Sequence, residues 1–289
     1  MENVGIGVIG CGAMGLSLVQ MVVENDPRLK VIALYDPEQR SVDRALSELA
    51  SSPKVCSDYT QLMDMSNVQW VMIASWNCYH HEQIVSAFKT GKHVFCQKPL
   101  ALSVDECVSI NRAWQQSGTT FSIGYTLRYS PHYQKMKELI SNGHIGKIIS
   151  MEFNETLDFN HGGYIMGDWR RLRENSGGHI LEKCCHDIDL ANWMVNSVAR
   201  RVASFGGLNF FLPENAFHID RIGPRNDGKA AYSTWDGLVD LNPFLSEKDI
   251  IDNQVVILEY ENGVRATFHT NCNAAIPERR MYILGTEGA

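Results

Sequence analysis

Residues 4–15 read VGIGVIGCGAMG, and this stretch decides the fold of the N-terminal half. Val4–Ile9 is a short apolar run with a strand's composition, and over 13–24 the apolar residues recur at helical spacing. Between them lies Gly10-Cys11-Gly12-Ala13-Met14-Gly15, a G-x-G-x-x-G loop in the strand–loop–helix setting that gives the pattern a mechanical meaning. Gly10 permits the tight turn, Gly12 lets the main chain approach a pyrophosphate, and Gly15 lets helix and strand pack closely. Ala13 and Met14 open the helix, whose N-terminus carries partial positive charge. Asp36 closes the next apolar run, 21 residues beyond Gly15, where a carboxylate accepts hydrogen bonds from an adenosine ribose. Its charge repels a 2′-phosphate, so NAD is expected before NADP. Arg40, one helical turn on, keeps NADP open, because a guanidinium can lie over such a phosphate.

Outward from the loop the alternation continues. Strands are expected at 31–35, 71–74, 93–95 and 119–123, with helices over 38–50 and 80–90, the latter stopped by Gly91. Ser103 with Glu106 forms a capping-box pattern that opens a helix to about Ser117. Apolar strands that do not alternate, joined by helices, imply a doubly wound parallel sheet covered on both faces, an α/β domain over residues 1–125. Residues 126–289 change character: a helix at 133–141, a turn at 143–146, strand-like runs at 147–156, 202–211, Asn253–Tyr260, 265–271 and 280–284, and one long helix over 178–195. Asn262-Gly263 predicts a tight hairpin turn with both residues at positive φ. This half reads as an α+β domain on a mostly antiparallel open sheet, with a polar, loop-rich insert at 213–252.

The composition, 44% hydrophobic and 20% charged, belongs to a globular chain. A net charge of −7 without a Lys/Arg block argues against nucleic acid or an anionic membrane surface as partner. No apolar run reaches the roughly 18–20 residues that span a bilayer, and the first residues lack the cationic region of a signal peptide. Eight scattered cysteines without a C-x-x-C pair read as reduced thiols, so a cytoplasmic protein is expected.

Further motifs follow in order. Ile73-Ala74-Ser75-Trp76-Asn77 leads to His80, then to Gly91-Lys92-His93-Val94-Phe95-Cys96-Gln97-Lys98-Pro99-Leu100. Gly124-Tyr125-Thr126-Leu127-Arg128-Tyr129 falls at the domain join, Gly177-Gly178 precedes Leu181-Glu182-Lys183-Cys184-Cys185-His186-Asp187-Ile188-Asp189, and Asp252-Asn253-Gln254 precedes the hairpin. With the glycine loop, this set resembles the family of glucose–fructose oxidoreductase, inositol dehydrogenase and the rhizopine-catabolism proteins. The resemblance implies a Rossmann domain joined to an open antiparallel sheet, NAD(P)-linked redox chemistry on sugars and cyclic polyols, and a homo-dimer or homo-tetramer formed through the sheet face. The family's glutamate-lysine-proline motif is matched by Gln97-Lys98-Pro99, where Gln97 keeps a hydrogen bond for the ribose but brings no charge. The family's aspartate falls on Glu182, its histidine on His186, and the glycine between them on Cys184. Ser75, Trp76, Asn77 and His80, just past the fourth strand, are expected near the nicotinamide end. The chain stops at Ala289, where related proteins continue with more strands and a helix, so a fragment or a short member is expected.

Oxidising a secondary alcohol requires a hydride acceptor against the carbinol carbon and a base for the hydroxyl proton. His186 suits the base at neutral pH, a role worth roughly 10²–10⁴ in rate. Lys98 at the carboxyl edge of the sheet suits stabilisation of alkoxide charge, and Glu182 suits holding the substrate and the imidazole. Glu182, His186 and Asp189, spaced i, i+4 and i+7, are expected on one helix face. The plainer readings are a solvated loop lysine and a helix-surface histidine paired with Glu182, a contact worth roughly 0.3 kcal/mol. A metal site from Glu182, Cys184, Cys185 and His186 is not expected, because ligands at such spacing point around a helix rather than converging. Arg128, Trp169, Arg170 and Trp235 are substrate candidates, with interface packing as their alternative. The expected function is an NAD(P)-dependent dehydrogenase of a sugar, sugar derivative or cyclic polyol. Its rivals are a non-catalytic NAD or sugar sensor and an NAD-dependent glycosidase that works by transient oxidation.

Overall fold

The computed structural model describes residues 3–233 and 241–289 and divides into two units, Met1–Gly124 and Tyr125–Ala289. In the first unit the chain runs β1 (Val4–Ile9), α1 (Ala13–Asn25), β2 (Leu29–Tyr35), α2 (Gln39–Glu48), β3 (Lys54–Val55), α3 (Tyr59–Met63), β4 (Trp70–Ile73), α4 (His80–Lys89), β5 (His93–Cys96), α5 (Val104–Ser117) and β6 (Phe121–Ile123). All strand pairs are parallel, in the order β3-β2-β1-β4-β5-β6. Apolar side chains fill both faces. Leu16, Val19, Val42 and Ala45 of α1 and α2 pack against one face, and Leu62, Ile84, Ala87 and Ile110 of α3, α4 and α5 against the other. Ser103 accepts from the Glu106 N–H while the Glu106 carboxylate accepts from Ser103, the reciprocal cap that the sequence pattern predicts. Strand order reverses direction at β1 and β4, so the segments after β1, β4 and β5 share the carboxyl edge where ligands of such sheets bind.

In the second unit the chain runs α6 (Pro131–Ser141), β7 (Ile148–Asp158), α7 (Phe159–Gly167), α8 (Arg173–Ser176), α9 (His179–Glu182), α10 (Cys185–Val195), β8 (Ala199–Gly207), α11 (His218–Ile222), β9 (Asn253–Tyr260), β10 (Arg265–Ala274) and β11 (Glu278–Gly285). The sheet order is β11-β7-β10-β9-β8, antiparallel except for the parallel pair β7 and β10. Phe153 and Phe268 meet Leu190 and Met194 of α10 on its covered face.

Four expectations are corrected. The long helix over 178–195 is broken into one turn, α9, and a separate helix, α10. The break falls at Lys183 and Cys184, where the Lys183 ammonium turns to Glu155 (3.4 Å) and the buried Cys184 thiol donates to Thr270 Oγ1 (3.3 Å). The β9–β10 hairpin has positive φ at Gly263 (86°) alone. Asn262 keeps negative φ because its amide donates to the Val195 carbonyl (3.0 Å), and Tyr260 pairs with Val264 around a three-residue loop. The strand expected over 202–211 ends at Gly207, since the N–H groups of Asn209, Phe210 and Phe211 turn to the buried Asp252 carboxylate at 3.0, 2.7 and 2.9 Å. Beyond it, the insert read as polar has an aromatic centre, with Tyr232 and Phe244 buried against Phe211.

Candidate cofactor-binding and acid–base sites

In the first unit each glycine of the loop meets a distinct steric demand. Gly10 has φ +88°, and a β-carbon there would lie 2.5 Å from the Ala74 carbonyl carbon. A β-carbon on Gly15 would overlap the Gly10 carbonyl oxygen, whereas the space above Gly12 is open to 4 Å. Gly12 caps α1 with no side-chain hydrogen bond, which leaves first-turn N–H groups to meet an anion. Asp36 accepts from the N–H of Cys11 (2.6 Å) and of Glu38 (2.9 Å). It thus braces the loop and retains lone pairs for a ribose. Burial raises its pKa, and the two N–H donors oppose the rise. Ala13 and Met14 are exposed on the first turn, and Arg40 lies 3.9 Å from Glu38. The residues present therefore fit the diphosphate and ribose of a dinucleotide.

After β4, Ser75 donates to Gln83 (2.6 Å), Asn77 is buried, and Trp76 packs beside Tyr79 with ring centroids 6.4 Å apart. His80, also expected near the nicotinamide end, lies in the interior. It is fully buried, with Nδ1 2.8 Å from the Pro99 carbonyl and Nε2 3.2 Å from that of Ser75. Burial lowers the imidazole's pKa, and the neutral ring has one N–H to donate; the shorter contact, to Pro99, ties the segment after β4 to the one after β5. Gln97 accepts the Lys98 N–H at 3.3 Å, and both side chains are half-buried.

In the second unit, Glu182 and His186 fall on different helices because of the break, so the expected single face for Glu182, His186 and Asp189 is not formed. Glu182 is buried against Arg170, with Nε 3.2 Å from its carboxylate. His186 sits in the first turn of α10, its ring edge-on to Tyr125 at 6.1 Å. Asp189 turns to Arg128, which grips it bidentately at 2.6 and 2.7 Å. Asp187, beside His186, is deeply buried next to Arg279 (2.9 Å), which also holds Glu155 at 2.6 Å. Burial pushes Asp187 up to about 6, with Arg279 opposing the rise.

Of the substrate candidates, Arg128 is gripped by Asp189 with its side chain 42% exposed, and Trp169 is only 7% exposed beneath the Arg170 guanidinium, 4.3 Å away. Trp235 lies outside the described residues. Cys184 stands where the family has glycine because its side chain fills the core beside His179, Thr270 and Cys272, and burial keeps Cys184 and Cys272 as thiols. Among the described residues no group of three or more His, Cys, Asp or Glu side chains is arranged to hold a metal ion, and no helix is long and apolar enough to cross a membrane.

The sequence reading missed α7. Asp158 caps it by accepting from the N–H groups of Asn160 and His161, and Gly162 and Gly163 bring its backbone against the carbonyls of Cys272 and Tyr232. The Asp-x-Asn-His-Gly-Gly run was the available signal. The helix carries His161 and Tyr164 to the Glu182–Arg170 pair. Burial lowers His161 to about 4, with Lys183 adding to the fall and Glu182 opposing it. The unfolded imidazole, near 6.5, therefore takes a proton that the native one refuses, and stability falls as pH drops from about 6.5 toward 4. Between pH 7.5 and 5 this residue should cost roughly 2 kcal/mol. In urea melts at both pH values, His161→Gln should flatten that slope; equal slopes in parent and variant would refute the burial argument.

Residues 4–125 match the family described as oxidoreductase family, NAD-binding Rossmann fold, and residues 133–289 match the GFO/IDH/MocA C-terminal domain. The 2,7-anhydro-N-acetylneuraminate hydratase of Escherichia coli is 27% identical over 287 residues, covering 99% of this chain and 66% of the hydratase. An inositol 2-dehydrogenase/D-chiro-inositol 3-dehydrogenase of Lactiplantibacillus plantarum is 27% identical over 218 residues, 74% of this chain and 57% of its own length. This chain thus spans about two thirds or less of these relatives. In fold, it is similar to scyllo-inositol dehydrogenase from Lactobacillus casei, solved with NAD(H) and scyllo-inositol, at a TM-score of 0.79 and 23% identity over 99% of this chain and 75% of that one.

Proposed function

Because the chain belongs to the GFO/IDH/MocA oxidoreductase family, whose N-terminal domain is an NAD-binding Rossmann fold, we propose that it transfers hydride between NAD and a secondary hydroxyl of a neutral carbohydrate or cyclic polyol. NAD supplies the hydride acceptor when bound. His186 takes the hydroxyl proton at an imidazole nitrogen, Lys98 stabilises the developing alkoxide, and Glu182 holds a neighbouring hydroxyl. The glycine loop and Asp36 hold the diphosphate and ribose, with Gln97 as a neutral partner.

The observation that supports the choice of a neutral substrate is the pairing of four cations on the elements that carry Glu182 and His186 and beside them. Arg128 is matched by Asp189, Arg170 by Asp168 and Glu182, and Lys183 and Arg279 by Glu155. Among these cations none is left to receive a substrate carboxylate. The outer sheet face exposes Phe205 (80%), Val255, Ile257 and Tyr282 and is the surface we assign to a second copy of the chain.

The test is NADH release, followed by its absorbance, from NAD and a panel of inositols, aldoses and sugar acids. Steady release with inositols or aldoses is expected; release with sugar acids alone would overturn the neutral-substrate reading. A second reading, chemistry without net oxidation, is favoured by the hydratase relative. Substrate consumption without free NADH would select it, and tight NAD binding without any turnover would select a sensor.

A further inference from the structure

We infer that Arg170 is a positioning residue that holds the Glu182 carboxylate fixed and ionised, and that it is not a substrate contact. The inference rests on the proposed role of Glu182 but can be tested without it. The side-chain contacts of Arg170 point inward. Nε donates to Glu182 Oε1 (3.2 Å), and Nη1 donates to Tyr164 Oη (2.8 Å) and to Asp168 Oδ2 (2.9 Å). Its guanidinium lies over the Trp169 ring at 4.3 Å and near the Tyr164 ring at 5.0 Å. The side chain is 20% exposed, and those of Glu182 and Asp168 are 10% and 4% exposed.

A carboxylate this buried keeps its charge only beside a cation that burial has not neutralised, and a guanidinium does not lose its proton. The planar fork serves two carboxylates at once, and stacking on two rings removes its rotational freedom, so the orientation of Glu182 is inherited from α7 and the turn after it. Facing Glu182 are His161 and Tyr164 of α7, Asp168 and Arg170 of the following turn, Lys183 beside it in sequence and Cys272 of β10. Burial keeps His161 neutral and Cys272 a thiol, Lys183 lies 3.4 Å from Glu155, and the Arg170 guanidinium is in direct contact with Glu182 at 3.2 Å.

The experiment compares the parent, Arg170→Lys and Arg170→Met by ¹³C-carboxyl NMR titration of glutamate-labelled protein, with the Glu182 resonance assigned by its loss in Glu182→Gln. In Arg170→Met the Glu182 midpoint should rise by at least about one pH unit. In Arg170→Lys it should rise less, because one ammonium cannot serve Asp168 and Glu182 together. With the polyol that yields NADH, the acid limb of kcat/KM should move up by the same interval while the NAD Kd stays unchanged. Unmoved midpoints would overturn the inference whether or not the protein is a dehydrogenase. A moved midpoint in a chain that releases no NADH would uphold the inference and count against the proposed reaction instead. Should Arg170→Met fail to fold, the Arg170→Lys titration decides: an unchanged midpoint and acid limb overturn the inference.

Discussion

Lys98→Ala is expected to cut turnover by roughly 10²–10⁴ while leaving the affinity for NAD within a few-fold of the parent. The argument begins with β5. Its last residue, Cys96, is fully buried, so the chain leaves the sheet at a fixed point and Gln97 N donates to the Ile73 carbonyl at 2.8 Å. Lys98 follows directly, and the next residue, Pro99, is buried and held through its carbonyl by His80. An ammonium on so constrained a segment costs little reorganisation when charge develops on the substrate oxygen, and losing it removes an interaction made mainly in the transition state. Stopped-flow turnover beside calorimetric NAD binding separates the two quantities. Turnover retained in Lys98→Ala would remove Lys98 from the chemistry, and equal losses in NAD binding would make it a cofactor residue.

Gly162→Ala is expected to destabilise the second unit by about 3 kcal/mol or more. A β-carbon at Gly162 would overlap the Cys272 carbonyl oxygen of β10, a main-chain atom with no side-chain freedom with which to yield. At Gly163 the obstacle is the Tyr232 carbonyl, so α7 cannot escape by rolling. Gly12→Ala is the contrast: its β-carbon would meet nothing within 4 Å, so stability should stay within about 0.5 kcal/mol of the parent while NAD affinity falls. Urea melts of both variants measure this. A Gly162→Ala protein as stable as Gly12→Ala would mean that α7 does not need its close approach.

The first unit was legible because its signals are local. A strand, a glycine loop and a helix follow one another within 22 residues of β1 and α1, and the Ser103–Glu106 cap is written four residues wide. The short β3 and α3 were missed because five residues or fewer carry no period. In the second unit the decisive contacts are distant in sequence. Lys183 breaks the helix for Glu155, Asp252 ends β8, and Arg170 takes up Glu182, a pairing that the i,i+4 spacing of Glu182 and His186 concealed. Spacing along one helix is informative only if the helix is continuous, and the residues that interrupt it, Lys183 and Cys184, are ordinary helix formers by type.

The parallel pairing of β7 with β10 has a consequence for biosynthesis. β7 is an interior strand, yet Ser150 waits for Arg265 on one side and for Leu284 on the other. At ribosomal speed the delay is on the order of ten seconds, during which Met151 and Phe153 have no sheet to join. The first unit, complete at Gly124, has all its strands by then and can close behind the exit tunnel. The nascent second unit is therefore the interval of greatest exposure to aggregation and the natural client stage for a holding chaperone.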